Sequence, residues 1–325
     1  MVRALVTGAT GLIGNRIAAQ LVEAGHSVRI LARDTERAAK VLPTGVEIVR
    51  GDITEPDGLA RAVAGTEWVF HAAGMPEQWQ PDPGIFDRVN RQGTRNVLEA
   101  ALAAGVRRVM YTSTMDVFAL DANHRLTEAL VDPNPKHTAY ERSKQAAERE
   151  AEALRARGLH VVYLNPAAVY GPSPVHVSLN SFLLQVLQRK VPLLPPGGVS
   201  VAFVDSVARA HLVAAERGRS GERYLLADEH VSMKDLATAM LREAGMDRVP
   251  PTAPALLLKA LAAASEPLAR AFNFTPLVAR GTLAFVLWNA RVDATKARRE
   301  LDYSPVPLVE GLRRTLESFR QQRLI

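Results

Sequence analysis

Apolar residues in the first half of the chain come in short runs rich in valine, isoleucine and leucine. Each run is followed by an alanine- and leucine-rich stretch with helical spacing. The runs predict strands at Ala4–Gly8, Ser27–Arg33, Val46–Asp52, Trp68–Gly74, Arg108–Thr114 and His160–Pro166. The stretches between them predict helices at Leu12–Ala24, Asp34–Val41, near Pro56–Val63, Phe86–Ala104 and Ala139–Arg157. Strands this apolar are buried on both faces, so the alternation predicts a doubly wound parallel sheet, an α/β fold of Rossmann type. After Pro166 the rhythm changes. Prolines cluster at 172, 174, 192, 195 and 196, Gly197 and Gly198 follow, and the chain reads as mostly helical from Ser232 onward. The expected division is a Rossmann domain over 1–166 and a smaller, mainly helical substrate lobe over 167–325. Segments near 200–230 are expected to return to the first domain.

One turn in this pattern carries chemistry. In TGATGLIG, Gly8, Gly11 and Gly14 fall three residues apart between the first strand and the first helix. That is the context of a dinucleotide fingerprint: one glycine makes the tight turn, one lets a pyrophosphate approach the backbone, and one lets helix and strand pack closely. Thr10, Leu12 and Ile13 share the turn and are expected at the cofactor with them. The second strand ends in Arg33, followed by Arg37 and Lys40. Cations there suit a ribose 2′-phosphate, whereas the adjacent Asp34 suits a free 2′-hydroxyl. The expectation is NADP(H) over NAD(H).

The composition narrows the partners. The chain has 325 residues, no cysteine and a net charge of +6. A disulfide framework and a cysteine zinc site are therefore excluded. The basic residues are dispersed rather than interleaved with aromatics, so no nucleic-acid surface is expected. The histidines, His71, His137 and His211 among them, show no metal-ligand spacing and read as structural. The late apolar stretches Pro254–Ala264 and Thr282–Trp288 fall short of the roughly 18–20 residues that span a bilayer. The glycine turn interrupts the first apolar run, unlike a secretory leader. These features together suggest a cytoplasmic protein.

Tyr140 and Lys144 lie four residues apart on a predicted helix and so share a face. An ammonium beside a phenol favours the phenolate, which lets the pair exchange a proton with a carbonyl or alcohol oxygen near neutral pH. The fifth strand ends in YTST, residues 111–114, which puts hydroxyls on the ligand side of the sheet.

TGATGLIG, RGD with Ile53, HAAG, NRQGTRNVLEAA, YTST, YERSK and NPAAVYGP follow one another in this order. Together they resemble the extended short-chain dehydrogenase/reductases, which include the NAD-dependent epimerase/dehydratases. Within them the chain is similar to the dihydroflavonol 4-reductase-like and 3β-hydroxysteroid dehydrogenase-like branch. The resemblance implies that Tyr140 is the acid/base, that Lys144 bonds the nicotinamide ribose, and that Thr114 positions the substrate oxygen. It implies further that Asp52 and Ile53 face the adenine and that Ala72, Ala73 and Gly74 lie along the cofactor. Asn90 and Thr112 are expected on the cofactor side, with Pro166 and Val169 against the nicotinamide. The long helices Phe86–Ala104 and Ala139–Arg157 resemble those of a homodimer interface. Many relatives carry two acids where this chain has Asp205 and Ser206, so a different lobe interface is expected.

Sugar-nucleotide enzymes of this kind carry an arginine near PPGGVSVAFVDS, yet Leu193–Phe203 holds no cation. Met75, Pro76, Trp79, Phe182, Leu183, Val186, Phe272 and Phe274 are expected to form an apolar pocket suited to a small, largely apolar ketone or alcohol. The leading expectation is a carbonyl reductase. A nucleotide-sugar epimerase or dehydratase is the alternative, for which Arg280 and Arg291 remain available. A dinucleotide-sensing protein without chemistry is a third.

Overall fold

The apolar runs of the first half pair side by side. A computed structural model of the chain describes residues 1–272, 274, 276 and 279–325. Its strands are β1 (Arg3–Thr7), β2 (Ser27–Ala32), β3 (Glu47–Arg50), β4 (Trp68–His71), β5 (Arg108–Thr112), β6 (Phe118–Leu120), β7 (Arg125–Val131), β8 (Val161–Pro166), β9 (Ala168–Tyr170), β10 (Gly198–Phe203), β11 (Arg223–Leu226), β12 (Glu229–Ser232) and β13 (Arg291–Val292). Seven of them form one sheet in the order β11-β8-β5-β4-β1-β2-β3, parallel at every pairing. The order reverses at β1, between β2 and β4. In open α/β sheets ligands bind at such a switch point, outside the carboxyl ends of the strands.

The helices are α1 (Leu12–Glu23), α2 (Thr35–Val41), α3 (Leu59–Val63), α4 (Gly84–Phe86), α5 (Gly93–Ala103), α6 (Ala139–Ala156), α7 (Ser178–Leu187), α8 (Val204–Arg217), α9 (Met233–Glu243), α10 (Ala255–Phe272), α11 (Arg280–Trp288), α12 (Thr295–Leu301) and α13 (Leu308–Gln321). The period of two along β1 decides what each face meets. Ala4 and Val6 pack into a cluster with Ile17 and Leu21 of α1 and Val207 and Leu212 of α8. Leu5 packs on the other face with Leu59 of α3, Val97 and Leu98 of α5 and Ala147 and Ala151 of α6.

The observed elements depart from the pattern where polar chemistry intervenes. The stretch expected as one helix from Phe86 to Ala104 is α4, a π-turn at Asp87–Gln92, and α5. The fifth strand stops at Thr112, and Thr114 instead caps a 3-10 turn at Met115–Val117 by accepting from the Asp116 N–H. Two small sheets, β12-β10-β9 and β13-β7-β6, lie outside the main one. β11 joins the main sheet beside β8 after the excursion through α7 and β10. The later segments attach to the first helix through Asp205, whose carboxylate pairs with Arg16 of α1 and Arg314 of α13. At Ser206 the interface uses a serine in place of a second acid: its hydroxyl donates to the Ser304 carbonyl at 2.8 Å.

Candidate active site

The glycine turn is built by steric exclusion. Gly8 has φ +75°, and a Cβ there would lie 2.6 Å from the backbone of Ala72 and Ala73. A Cβ on Gly14 would lie 2.4 Å from the Gly8 carbonyl oxygen. The two outer glycines thus let strand, turn and helix touch. Gly11 differs, since its Cβ would meet only the Gly8 carbonyl, at 3.2 Å. Gly11 is also the N-cap of α1, no side chain caps that end, and no acid occupies the first turn. Leu12 is buried and Ile13 packs against the core, so at this turn they offer backbone N–H groups rather than side chains. Thr10 is half-buried beside them. A helix N-terminus with uncapped N–H groups and a positive dipole end fits a diphosphate.

The ends of β2 and β3 form a rim with a different character. Arg33 is 80% exposed and lies 3.8 Å from the Asp52 carboxylate. Asp34 is engaged as the N-cap of α2, accepting from the Arg37 N–H at 2.9 Å, and Arg37 itself is exposed. Asp52 accepts from both the N–H and the hydroxyl of Thr54 at 2.9 Å. Ile53 is wedged against Gly93, where a Cβ would come within 2.7 Å of Ile53 Cδ1.

Past β4, the Ala73 N–H donates to Thr7 Oγ1 at 3.3 Å, and Gly74 is exposed. Asn90, in the π-turn, is 1% exposed and fully engaged. Its Oδ1 accepts from the Met75 N–H at 2.7 Å, and its Nδ2 donates to the Met75 carbonyl and to Ser143 Oγ at 3.1 and 2.9 Å. Asn90 therefore pins the loop after β4 to α6. Thr112 also serves through others. Its hydroxyl pairs with His211 Nε2 at 2.8 Å, and its carbonyl accepts from Lys144 Nζ at 3.0 Å. Pro166 closes β8 in the core, and Val169 is half-buried on β9. His71 sits between the hydroxyls of Thr7 and Thr94. Among the described residues no group of three or more histidines and acids converges to hold a metal.

The Tyr140 pocket is assembled at the first turn of α6. Thr138 and Glu141 form a capping box that fixes this turn. Tyr140 is half-buried, with its ring edge-on to Phe86 at 6.0 Å between centroids. Burial is the largest cause pushing its phenol well above the ordinary value. The Asp116 and Glu77 carboxylates add to this, and the Thr114 hydroxyl pulls the other way. Lys144, one turn on, donates to the Thr112 carbonyl and to Tyr111 Oη at 3.3 Å and lies over the Tyr111 ring. Burial lowers its ammonium to about 8, opposed by Glu148 and Asp116. Burial sets the direction of the Tyr140 phenol, and the Lys144 ammonium rests on the Thr112 carbonyl and Tyr111 Oη.

Three acids escaped the sequence reading. Asp116 is raised to about 6, chiefly by burial, and Glu77 to about 7 for the same reason, with acid neighbours adding to it. Glu148 is 4% exposed, bound by Asn165 Nδ2 and Arg223 Nε at 2.9 Å each. Glu148 stands four residues after Lys144 on α6, a spacing legible in the sequence. Asp116 and Glu77 reach the pocket only by folding. Of the expected apolar lining, Leu183 and Val186 pack inside the lobe core. Phe272 and Phe274 are exposed, at 74% and 44%. Arg280 is occupied by Glu266 and the Ala263 carbonyl.

Comparison with known proteins places this geometry. Residues 4–227 match the model of the NAD dependent epimerase/dehydratase family. A relative from Stigmatella aurantiaca, 4-hydroxy-2-methyl-3-oxo-4-farnesyl-3,4-dihydroquinoline-1-oxide ketoreductase, is 31% identical over 93% of this chain and 92% of its own. Sterol demethylase protein B of Methylococcus capsulatus is 29% identical over 99% of both. The crystal structure of gox2253 superposes with a TM-score of 0.82 at 31% identity, covering 100% of each chain. The family comprises enzymes that use a nicotinamide dinucleotide, and the open turn at Gly11 fits that group. The chain belongs to the NAD dependent epimerase/dehydratase family, within the extended short-chain dehydrogenases/reductases.

Proposed function

We propose that the protein is an NADP(H)-dependent oxidoreductase that reduces a carbonyl of a small, largely apolar substrate, or oxidises the matching secondary alcohol. The observation that carries this reading is the placement of Tyr140 and Lys144 one turn apart on α6, with the Lys144 ammonium bonded to the Thr112 carbonyl at the end of β5. A loaded proton donor is what an oxygen gaining negative charge at a reduced carbonyl requires. The cofactor supplies the hydride, and the chain supplies placement and the proton. In this reading the α1 N-terminus at Gly11 holds the diphosphate, and Arg33 and Arg37 take the 2′-phosphate. Asp34, engaged in capping α2, has less to offer a free 2′-hydroxyl. Asp52, Ile53, Ala72, Ala73 and Gly74 flank the dinucleotide, with Pro166 and Val169 near its nicotinamide end. Lys144, fixed by the Thr112 carbonyl, faces the ribose. Tyr140 Oη donates the proton to the substrate oxygen while Thr114 orients it. The farnesylated ketone in the name of the Stigmatella relative supports an apolar carbonyl substrate. The reading retains a cytoplasmic location and a homodimer, the second of which light scattering on the purified protein tests.

The deciding experiment is a turnover screen of apolar ketones, their alcohols and UDP-sugars with NADPH, NADH and both oxidised forms, with bound nucleotide identified by mass spectrometry. NADPH consumption with a ketone is the expected result. Tightly retained NAD with interconversion of a UDP-sugar and no net cofactor use would overturn the reading.

A further inference from the structure

The helix α10 turns an apolar side outward. Its sequence is ALLLKALAAASEPLARAF. The inner face is already covered: Leu258 and Ala262 pack with Leu283 of α11, and Ala269 is fully buried. On the outer face Leu256 is 79% exposed and Phe272 74%, with Leu257, Leu261 and Leu268 exposed between them. Alanines and Pro267 fill the gaps, and Lys259 is the one exposed polar residue of this helix among those described. At 3.6 residues per turn the apolar positions cover about half of the helix circumference, and Lys259 falls at the border. A surface helix ordinarily shows its polar side to water, and one that is apolar all round is covered by protein or by lipid.

Charge separates these two covers. No acid occurs between Ala255 and Ser265. The chain enters α10 beside another segment: Leu194 pairs with Thr252 in parallel, and Leu193 packs against the inner cluster. Upstream on these two segments Arg189, Lys190 and Arg248 are exposed, against one exposed acid, Asp247. Four or five residues separate the cations from the pairing, at most about 18 Å of chain. The surface is thus apolar along one helix face and cationic at its root, which suits an anionic bilayer. Size points the same way. At 18 residues the helix is about 27 Å long and about 10 Å wide, an outline on the order of 300 Å². A stable protein partner covers about 800 Å² on each side. A bilayer asks only that one face sink about 5–10 Å into the boundary between headgroups and acyl chains.

We propose that α10 rests in the surface of an anionic lipid bilayer, with its exposed leucines and Phe272 in that boundary and Lys259, Arg189, Lys190 and Arg248 over the lipid phosphates. The helix lies on the membrane and does not cross it, since no described helix is long and apolar enough to do so. The anchor adjoins the candidate site. In the first turn of α11, a Cβ on Gly281 would lie 2.4 Å from Glu77 Oε1. Glu77 Oε2 accepts from the Thr138 hydroxyl at 2.9 Å, beside the turn of α6 that carries Tyr140. Binding to lipid stands independently of the reductase reading.

The test is flotation of the full chain with vesicles of phosphatidylcholine alone and of equal parts phosphatidylcholine and phosphatidylserine. The wild type should float with the mixed vesicles and bind about tenfold more weakly to phosphatidylcholine alone. Leu256→Gln combined with Leu261→Gln should weaken binding to the mixed vesicles about thirtyfold. Lys259→Glu, which leaves the leucines in place, should weaken it about tenfold. All three positions are exposed, and thermal melts check that the variants fold. A wild type that does not float with the mixed vesicles, or a double variant that floats as well as the wild type, would overturn the proposal. So would a wild-type dimer in light scattering that the double variant makes monomeric without any lipid binding, because the face would then belong to a second copy of the chain. None of these measurements uses turnover, so a protein that reduces no ketone but floats as expected would count against the reductase alone.

Discussion

The glycine turn and the Tyr140 pocket sit at the same carboxyl edge of the sheet and are made in opposite ways. The turn offers a ligand backbone alone. It holds no acid in its first helical turn and no side-chain cap, and its shape comes from the missing side chains of Gly8 and Gly14. The pocket works with side chains from the β4 loop, the turn after β5, and α6, and its properties come from burial and from acids near one phenol. The difference teaches that shape can be specified by a few consecutive residues, whereas a proton affinity is set by everything packed around a group.

The comparison breaks most sharply at Gly14. A methyl there meets the Gly8 carbonyl at 2.4 Å, and backbone cannot step aside as a flexible side chain can. Gly14→Ala should destabilise the protein by about 3 kcal/mol and abolish NADPH binding. Differential scanning fluorimetry with and without NADPH reads both, and unaltered binding would show that the turn is not the diphosphate site. In the pocket, Tyr140→Phe removes one oxygen and disturbs no packing. It should lower kcat about 10²–10⁴-fold with the Kd for NADPH unchanged, so the chemistry fails while the turn still binds. A variant of undiminished kcat would remove Tyr140 from the mechanism.

Arg33 sharpens the contrast within the cofactor itself. Its side chain is largely exposed and its carboxylate neighbour is distant, at 3.8 Å, so little holds it back from a phosphate. Arg33→Ala should raise the Kd for NADPH about tenfold and leave NADH within twofold. Equal weakening of both by calorimetry would reverse the cofactor preference.

The smallest effect concerns the histidine beneath the pocket. Burial holds His211 down at about 4 against an ordinary 6.5. A base depressed in the folded state lends stability above the unfolded value and loses it as pH falls through the folded one. The stability gap between wild type and His211→Gln should therefore narrow as pH drops from 6.5 toward 4. A gap that holds constant in thermal melts across that range would show that His211 does not titrate there.

Six of the seven strands of the main sheet were legible in the sequence, because strands buried on both faces announce themselves as unbroken apolar runs. β11 was not read as a strand, since RYLL is only four residues long, although segments near 200–230 were expected to return to the first domain. The π-turn was hidden for another reason: Asp87–Gln92 has helical composition, and only the grip of Asn90 on Met75 marks it. The same division governs the site. Gly8, Gly11, Gly14, Tyr140 and Lys144 are readable because each motif is local. The rise of the Tyr140 phenol was not, because it depends on Asp116 and Glu77, which lie 24 and 63 positions before it in the chain. Lys144, its expected partner, donates to the Thr112 carbonyl and to Tyr111 Oη.

The late return of β11 to the sheet has a consequence for synthesis. β8 is flanked by β5 on one side and by β11 on the other, so until Leu226 has left the ribosome the far side of β8 is a bare row of amide groups. An N-terminal fragment ending at Pro166 would carry that bare row permanently, and open strand margins seek other chains. Nascent chains shorter than this should therefore depend on holding chaperones, and splitting the gene at the apparent boundary between its two halves should yield aggregate rather than a soluble nucleotide-binding unit.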